Sequence, residues 1–180
     1  MSNVLRVGVV GCGRHCRGHL APAVSHIASA NLAACADVDI GAAQRMANEL
    51  GIEATYESVE ELIGSGDVDA VIVAVPHRHL KEVALSVIEA GKHVFIEKPM
   101  GLNAGEGREV VEAAGKENIV AMVGFCMRYS LSRMFIKSQL ERGVVGEVQF
   151  VVAGKGGPPL EGWLAGPYEE GGGQLFFLGS

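Results

Sequence analysis

The sequence predicts an α/β fold: a doubly wound parallel sheet with helices on both faces, followed by the beginning of a second α/β domain. Three observations carry this. Apolar runs of strand length alternate with amphipathic runs of helix length, the rhythm of repeated βαβ units. The run "DAVIVAVP" (69–76) is apolar without alternation, as a parallel strand covered on both faces requires. The first strand leads straight into a glycine-rich turn, "GCGRHCRGH" (11–19), at the start of a helix.

Taken in order, "VLRVGVVG" (4–11) reads as the first strand and "RHCRGHLAPAVSHI" (14–27) as its helix. "ANLAACADVD" (30–39) is the second strand, and the helical "GAAQRMANEL" (41–50) follows it, closed by Gly51 as a C-cap. A short third strand falls at "EATYES" (53–58). After the run at 69–76, Leu80, Val83, Ala84, Val87 and Ile88 line one stripe of a helix that Gly91 ends. "KHVFIEKP" (92–99) is a strand, "GEGREVVEAAGKEN" (105–118) a helix and "IVAMVGF" (119–125) another strand. The rhythm changes there, which places a first domain at 1–125 and a partial second one at 126–180. The second domain holds a helix at 131–143, a strand at "GEVQFVVAG" (146–154) and a Gly/Pro-rich stretch at 154–173. "QLFFLGS" closes the chain on an apolar run, so the sequence reads as stopping inside that domain.

The 180 residues are 48% hydrophobic and 20% charged, enough apolar material for a real core. A formal net charge of -6 without clustered Lys and Arg argues against a nucleic-acid partner and leaves small neutral or anionic ligands open. The four cysteines lie in or beside apolar strand-like segments, which favours reduced thiols in a cytoplasm over a disulfide framework. The first residues lack the pattern of a secretory signal, and no apolar run approaches the length of a membrane span. The expectation is a soluble cytoplasmic protein.

In the opening turn, Gly11, Gly13 and Cys16 take the three positions of G-x-G-x-x-G. The first permits a tight turn, the second lets a pyrophosphate approach the backbone, and the third must be small so that helix packs on strand. Arg14 and His15, between the second and third positions, fall beside the phosphates. Asp37, at the end of the second strand and 21 residues beyond Cys16, stands where an acid reaches the adenosine ribose hydroxyls and repels a 2′-phosphate. With Asp39 adding negative field and no arginine directly after Asp37, NAD is favoured over NADP. Two other readings stay open. The glycines can serve a tight turn alone, with Asp37 a solvated strand end. The pairs Cys12/Cys16 and His15/His19 have the i,i+4 spacing of metal ligands, but Cys12 sits in the turn, and neighbouring residues 15 and 16 diverge by about 100° on a helix. No metal is expected.

With this loop, "AVIVAVPHRHLKEVALSVIEAGKHVFIEKPM" and the later "GW…GP…EEGGG…LGS", the chain resembles the glucose-fructose oxidoreductase / inositol dehydrogenase / MocA family from about Val4 to Ser180. The most specific element is Glu97-Lys98-Pro99 at the end of a buried strand. The resemblance implies an N-terminal Rossmann domain, a C-terminal α/β domain whose open sheet lines the substrate site and pairs subunits into a homo-oligomer, and hydride transfer between a nicotinamide and a sugar, polyol or related hydroxyl or carbonyl compound. It further implies that Lys98 holds the reacting oxygen and assists proton transfer, that Glu97 lies by the nicotinamide ribose, and that Pro99 follows a bend, often with a cis peptide. Pro76 and His77 match the strand end that contacts the cofactor. The family often has a histidine four residues after this proline; Leu80 stands there, with His79 one earlier. Arg128 and Tyr129 match an Arg-aromatic pair at the domain junction.

Chemistry supports the lysine independently. Removing hydride from a carbinol leaves a hydroxyl proton that a lysine beside the cofactor can relay. Without the resemblance, a solvated cation at a strand end is an equal reading of Lys98. One departure bears on turnover. After Gly171-Gly172-Gly173, family members carry an aspartate and, four residues later, a histidine; here Phe177 takes the aspartate's place, and the histidine's falls one residue beyond Ser180. Two functions therefore follow: an NAD-dependent oxidoreductase, and a truncated or non-catalytic dinucleotide-binding module.

Overall fold

The computed structural model describes residues 4–152, 154, 161 and 165–167. Six strands form one parallel sheet: β1 (Leu5–Val10), β2 (Ala30–Ala36), β3 (Ala54–Tyr56), β4 (Ala70–Val73), β5 (His93–Ile96) and β6 (Ala121–Val123). Their order across the sheet is β3-β2-β1-β4-β5-β6. The chain thus builds outward from β1 to one edge, returns to β4 on the other side of β1, and builds to the opposite edge. The direction reverses between β1 and β4, where strand ends diverge and leave a crevice.

Both faces are covered, as the apolar runs require. Val7 and Val9 of β1, Cys35 of β2 and Ile72 of β4 pack with Val24 of α1 (Ala21–Val24) and Ala43 and Met46 of α2 (Ile40–Leu50). Their alternating neighbours Val10, Ala34, Ala36, Val71, Val73, Val94 and Ile96 pack on the other face with Leu62 of α3 (Val59–Gly64), Leu80 and Val87 of α4 (His77–Glu89) and Val110 of α5 (Ala104–Glu117). Of the α4 stripe, Leu80, Ala84, Val87 and Ile88 are fully buried and Val83 partly so. Gly51 closes α2 in the left-handed conformation expected of it, at φ 70°.

Three elements differ from expectation. The helix after the glycine turn is not a regular α-helix: Cys16–Leu20 is π-helical, with the Ala21 N–H bonded to the Cys16 carbonyl, and α1 ends at Val24. The Ser25 hydroxyl donates to the Pro22 carbonyl at 2.6 Å, the local competition by which serine ends helices. Helix α3 is additional. Its N-terminus is a serine cap, with Ser58 Oγ accepting from the Glu61 N–H at 3.1 Å while Glu61 Oε2 accepts from the Glu57 N–H at 3.0 Å.

The expected strand at 146–154 is absent: residues 147–152 form no strand and are exposed. The apolar sequence has strand propensity, but a strand exists only with a neighbour to complete its ladder, and no described residue pairs with it. The expected helix of this region is present as α6 (Leu131–Glu141), preceded by a 3-10 turn at Cys126–Tyr129. Gly171–Gly173, Phe177 and Ser180 lie outside the described residues.

Candidate functional site

The C-terminal ends of β2, β1, β4 and β5 meet at the crevice, and three contacts stitch them together. Gly11 leaves β1 at φ 94°, and a Cβ there would lie 2.4 Å from the Ala74 carbonyl oxygen just past β4. Only glycine allows that backbone conformation and that approach together. The Cys12 N–H then donates to Asp37 Oδ2 at 2.7 Å, which ties the turn to the tip of β2. Farther along, His15 Nε2 lies 3.2 Å from Glu97 Oε1, which ties the first helical turn to the end of β5.

Gly13 has the opposite surroundings to Gly11. It is exposed, and a Cβ built on it meets nothing within 4 Å, so the backbone faces open space. Arg14 and His15 are exposed beside it, while Cys16 turns inward and is only 1% exposed. The Arg17 N–H bonds to the Gly13 carbonyl at 3.0 Å, so helical bonding begins at the second glycine. The three residues between the inward-facing Cys12 and Cys16 thus form the rim of the crevice.

Asp37 accepts two backbone bonds, from Cys12 at Oδ2 and from Asp39 at Oδ1 (2.9 Å), leaving one lone pair on each oxygen for a ligand hydroxyl. Asp39 does not add to the field as expected from sequence. Its carboxylate caps α2 through the Gly41 N–H at 3.0 Å and pairs with Arg45 at 3.1 Å. The Arg45 bond, with the cap, holds its pKa below the ordinary value.

At the other side, Glu97 is buried, with Oε2 accepting from the Lys98 N–H at 2.7 Å. Lys98 is half-buried, and the Lys98–Pro99 peptide bond is cis. Gly124, just past β6, makes room here: a Cβ on it would lie 3.2 Å from Glu97 Oε1 and from the Phe95 ring. Sequence reasoning passes over Gly124; the signal is a glycine closing the strand beside the Glu-Lys-Pro motif.

Pro76 and His77 lie beyond β4 rather than on it, because the strand ends at Val73. Pro76 is the N-cap of α4, and His77 is its first residue and buried. His79 is exposed, its Nε2 accepting from Arg78 Nε at 3.0 Å. Arg128 and Tyr129 occupy the 3-10 turn and are exposed.

The cysteines of the loop belong to the core. Cys12, Cys16 and Cys35 are buried free thiols on the α1/α2 face of the sheet. The Cys12 thiol is pushed up by its contact with Cys35 and by burial, and burial pushes Cys16 up to about 12. The Cys35 value is lowered by the hydrogen bond from Cys12. His15 and His19 face outward with ring centroids 5.4 Å apart. Among the described residues, no three His, Cys, Asp or Glu side chains come together as a metal site.

Asp37 and Glu97 stand at the ends of β2 and β5, with β1 and β4 between them. Three strand spacings separate those positions by about 14 Å, so one acid stands on either side of the crevice. The glycine turn lies between. A parallel sheet of this order, with a glycine turn at its switch point and an acid at the tip of β2, is a Rossmann domain. The chain belongs to the "Oxidoreductase family, NAD-binding Rossmann fold" (GFO_IDH_MocA), which it matches over residues 5–125.

Among similar proteins, myo-inositol 2-dehydrogenase of Thermotoga maritima is 33% identical over 143 residues, 79% of this chain and 42% of the relative. Inositol 2-dehydrogenase/D-chiro-inositol 3-dehydrogenase of Shouchella clausii is 36% identical over 147 residues, again 79% and 42%. The crystal structure of the WlbA dehydrogenase from Bordetella pertussis in complex with NADH and UDP-GlcNAcA superimposes with a TM-score of 0.74 at 29% identity, covering 79% of this chain and 43% of that one. The chain therefore spans less than half the length of these relatives.

Proposed function

We propose that this chain forms the cofactor-binding part of an NAD-dependent oxidoreductase that acts on a CH–OH group of a sugar, polyol or related compound. The observation that carries this reading is the placement of Glu97-Lys98 at the end of β5, joined through His15 to the glycine turn. That placement sets a lysine at one end of the crevice, where a nicotinamide would lie if the adenosine sits at Asp37.

In this reading Gly11, Gly13, Arg14, His15 and Cys16 build the pyrophosphate turn, by backbone shape, exposed rim and inward packing respectively. Asp37 receives the adenosine ribose hydroxyls, Pro76 and His77 line the β4 side, and Glu97 receives the nicotinamide ribose. Bound nicotinamide supplies or accepts the hydride. Lys98 holds the substrate oxygen and passes its proton. NAD is preferred to NADP because Asp37 occupies the ribose end and the nearby Arg45 is paired with Asp39.

The relatives named as inositol dehydrogenases support a polyol or sugar substrate. The free buried thiols support a cytoplasmic setting. No helix of the described residues is long and apolar enough to cross a membrane. Residues 126–180 are read as the beginning of the substrate domain and, through its sheet, of a homo-oligomer contact; exposed Phe135, Phe150 and Val152 support an apolar surface there.

The test is a fluorescence titration with NADH and NADPH, then a polyol and sugar panel with NAD comparing wild type with Lys98→Ala. Saturable NADH binding and turnover that Lys98→Ala abolishes are expected. Binding without turnover would favour the non-catalytic module, and binding of neither nucleotide would remove both readings.

A further inference from the structure

We propose that His15 is a positioning residue: it clamps Glu97 from across the crevice, so that the phosphate turn and the nicotinamide end of the site are preset as one unit. The inference rests on the dinucleotide reading above.

The contact joins residues 82 positions apart, with His15 Nε2 at 3.2 Å from Glu97 Oε1. The Glu97 side chain is only 11% exposed, whereas that of His15 is 59% exposed. The acid is therefore held inside the site, and the imidazole stands on its rim, where a ligand laid across the turn would meet it. The Lys98 N–H occupies Oε2, and His15 occupies Oε1. The floor beside Oε1 is the bare backbone of Gly124, which leaves room for the carboxylate and offers no side chain to orient it. A carboxylate accepts only, so in this contact Nε2 carries the proton, and a neutral ring keeps Nδ1 as acceptor.

A carboxylate with two fixed donors has one orientation. Loss of the imidazole frees Oε1 to rotate, and the ordering of Glu97 must then be completed when the ligand binds. The loss should fall on ligands that reach Glu97 and spare those that end at the pyrophosphate. ADP ends there, whereas NADH continues to the second ribose.

The experiment measures NADH and ADP affinities by calorimetry for wild type, His15→Ala, His15→Gln, Glu97→Gln and the His15→Ala/Glu97→Gln double variant. It adds the histidine ring ¹⁵N spectrum of the nucleotide-free protein. His15→Ala should weaken NADH about tenfold while moving ADP less than about twofold. His15→Gln, which carries an N–H donor at similar reach, should recover most of the loss. The double variant should lose little more than the worse single one, and Glu97→Gln should shift the His15 Nε2 resonance. Equal weakening of ADP and NADH would overturn the proposal in favour of direct phosphate contact by His15, with the dinucleotide reading intact. Additive losses, or an unmoved Nε2 resonance, would also overturn it. Failure of wild type to bind either ligand would overturn the dinucleotide reading itself and this inference with it.

Discussion

The backbone N–H of Cys12 donates to the Asp37 carboxylate at 2.7 Å, so the residue between the two glycines of the turn is held by the acid at the tip of β2. Asp37 thus shapes the turn, in addition to the ribose contact proposed for it. Asp37→Ala leaves two backbone donors, those of Cys12 and Asp39, without their acceptor. A cost of about 1–3 kcal/mol in urea unfolding is expected. In fluorescence titrations NADH affinity should drop more than tenfold, and the preference for NADH over NADPH should shrink because the charge opposing a 2′-phosphate is gone. An unchanged NADH/NADPH ratio would contradict this assignment of the ribose end.

Gly11 and Gly13 should separate stability from binding. Gly11→Ala places a methyl 2.4 Å from the Ala74 oxygen at φ 94°, and a destabilisation of about 2–4 kcal/mol is expected. Gly13→Ala adds a methyl to open space, so its unfolding free energy should stay within about 0.5 kcal/mol of wild type. The same methyl fills the approach to the backbone, and NADH affinity should fall at least tenfold. Normal NADH binding by Gly13→Ala would remove the pyrophosphate from this turn.

The sheet was legible because its central strands are apolar on both faces, and a parallel strand covered by helices on both sides suits an unalternating run such as "AVIVAV". The glycine turn and Asp37 were legible because sequence spacing alone places them at neighbouring strand ends. The His15–Glu97 contact was not, since two residues 82 positions apart meet only through the order of β1, β4 and β5. Helix α3 is short, so it offers little periodicity, although Ser58 and Glu61 spell its cap. The strand expected at 146–154 failed for the converse reason: an apolar run states a propensity, and pairing depends on a neighbour it does not encode. Asp39, read as field, turned out to be a helix cap with its own cation.

Thiol reactivity should follow burial. Of the four cysteines, Cys12, Cys16 and Cys35 are buried and Cys126 is exposed. With Cys16 pushed up to about 12 and Cys12 raised as well, neither supplies thiolate at mildly alkaline pH. Cys35 has a lowered value, but its sulfur is enclosed in the core. Ellman's reagent should therefore titrate one thiol rapidly in the native protein and all four in denaturant, and Cys126→Ser should abolish the fast phase. Rapid reaction of two or more thiols would show that the floor of the glycine turn opens readily.

A charged clamp at the opposite end of the sheet gives a control that touches stability alone. Asp69, just before β4, accepts from the Arg6 backbone at 3.0 Å and from its guanidinium at 2.7 and 3.1 Å, and Arg6 also donates to the Gly66 carbonyl at 2.9 Å. The Arg6 side chain, more than the Arg6 amide, holds the Asp69 pKa down to about 2, below the ordinary value near 4. A depressed acid stabilises the fold above its unfolded value, and that contribution drains away as pH falls from about 4 through about 2. Both side chains are more than a third exposed, so solvent screening keeps the effect small. Arg6→Met should lower the urea midpoint modestly at neutral pH, and the gap from wild type should close as pH falls through that window. High salt should narrow it too. Because Arg6 and Asp69 lie at the N-terminal ends of β1 and β4, away from the crevice, NADH affinity at neutral pH should stay within about twofold of wild type. A gap that widens on acidification would show that Asp69 is not the group titrating.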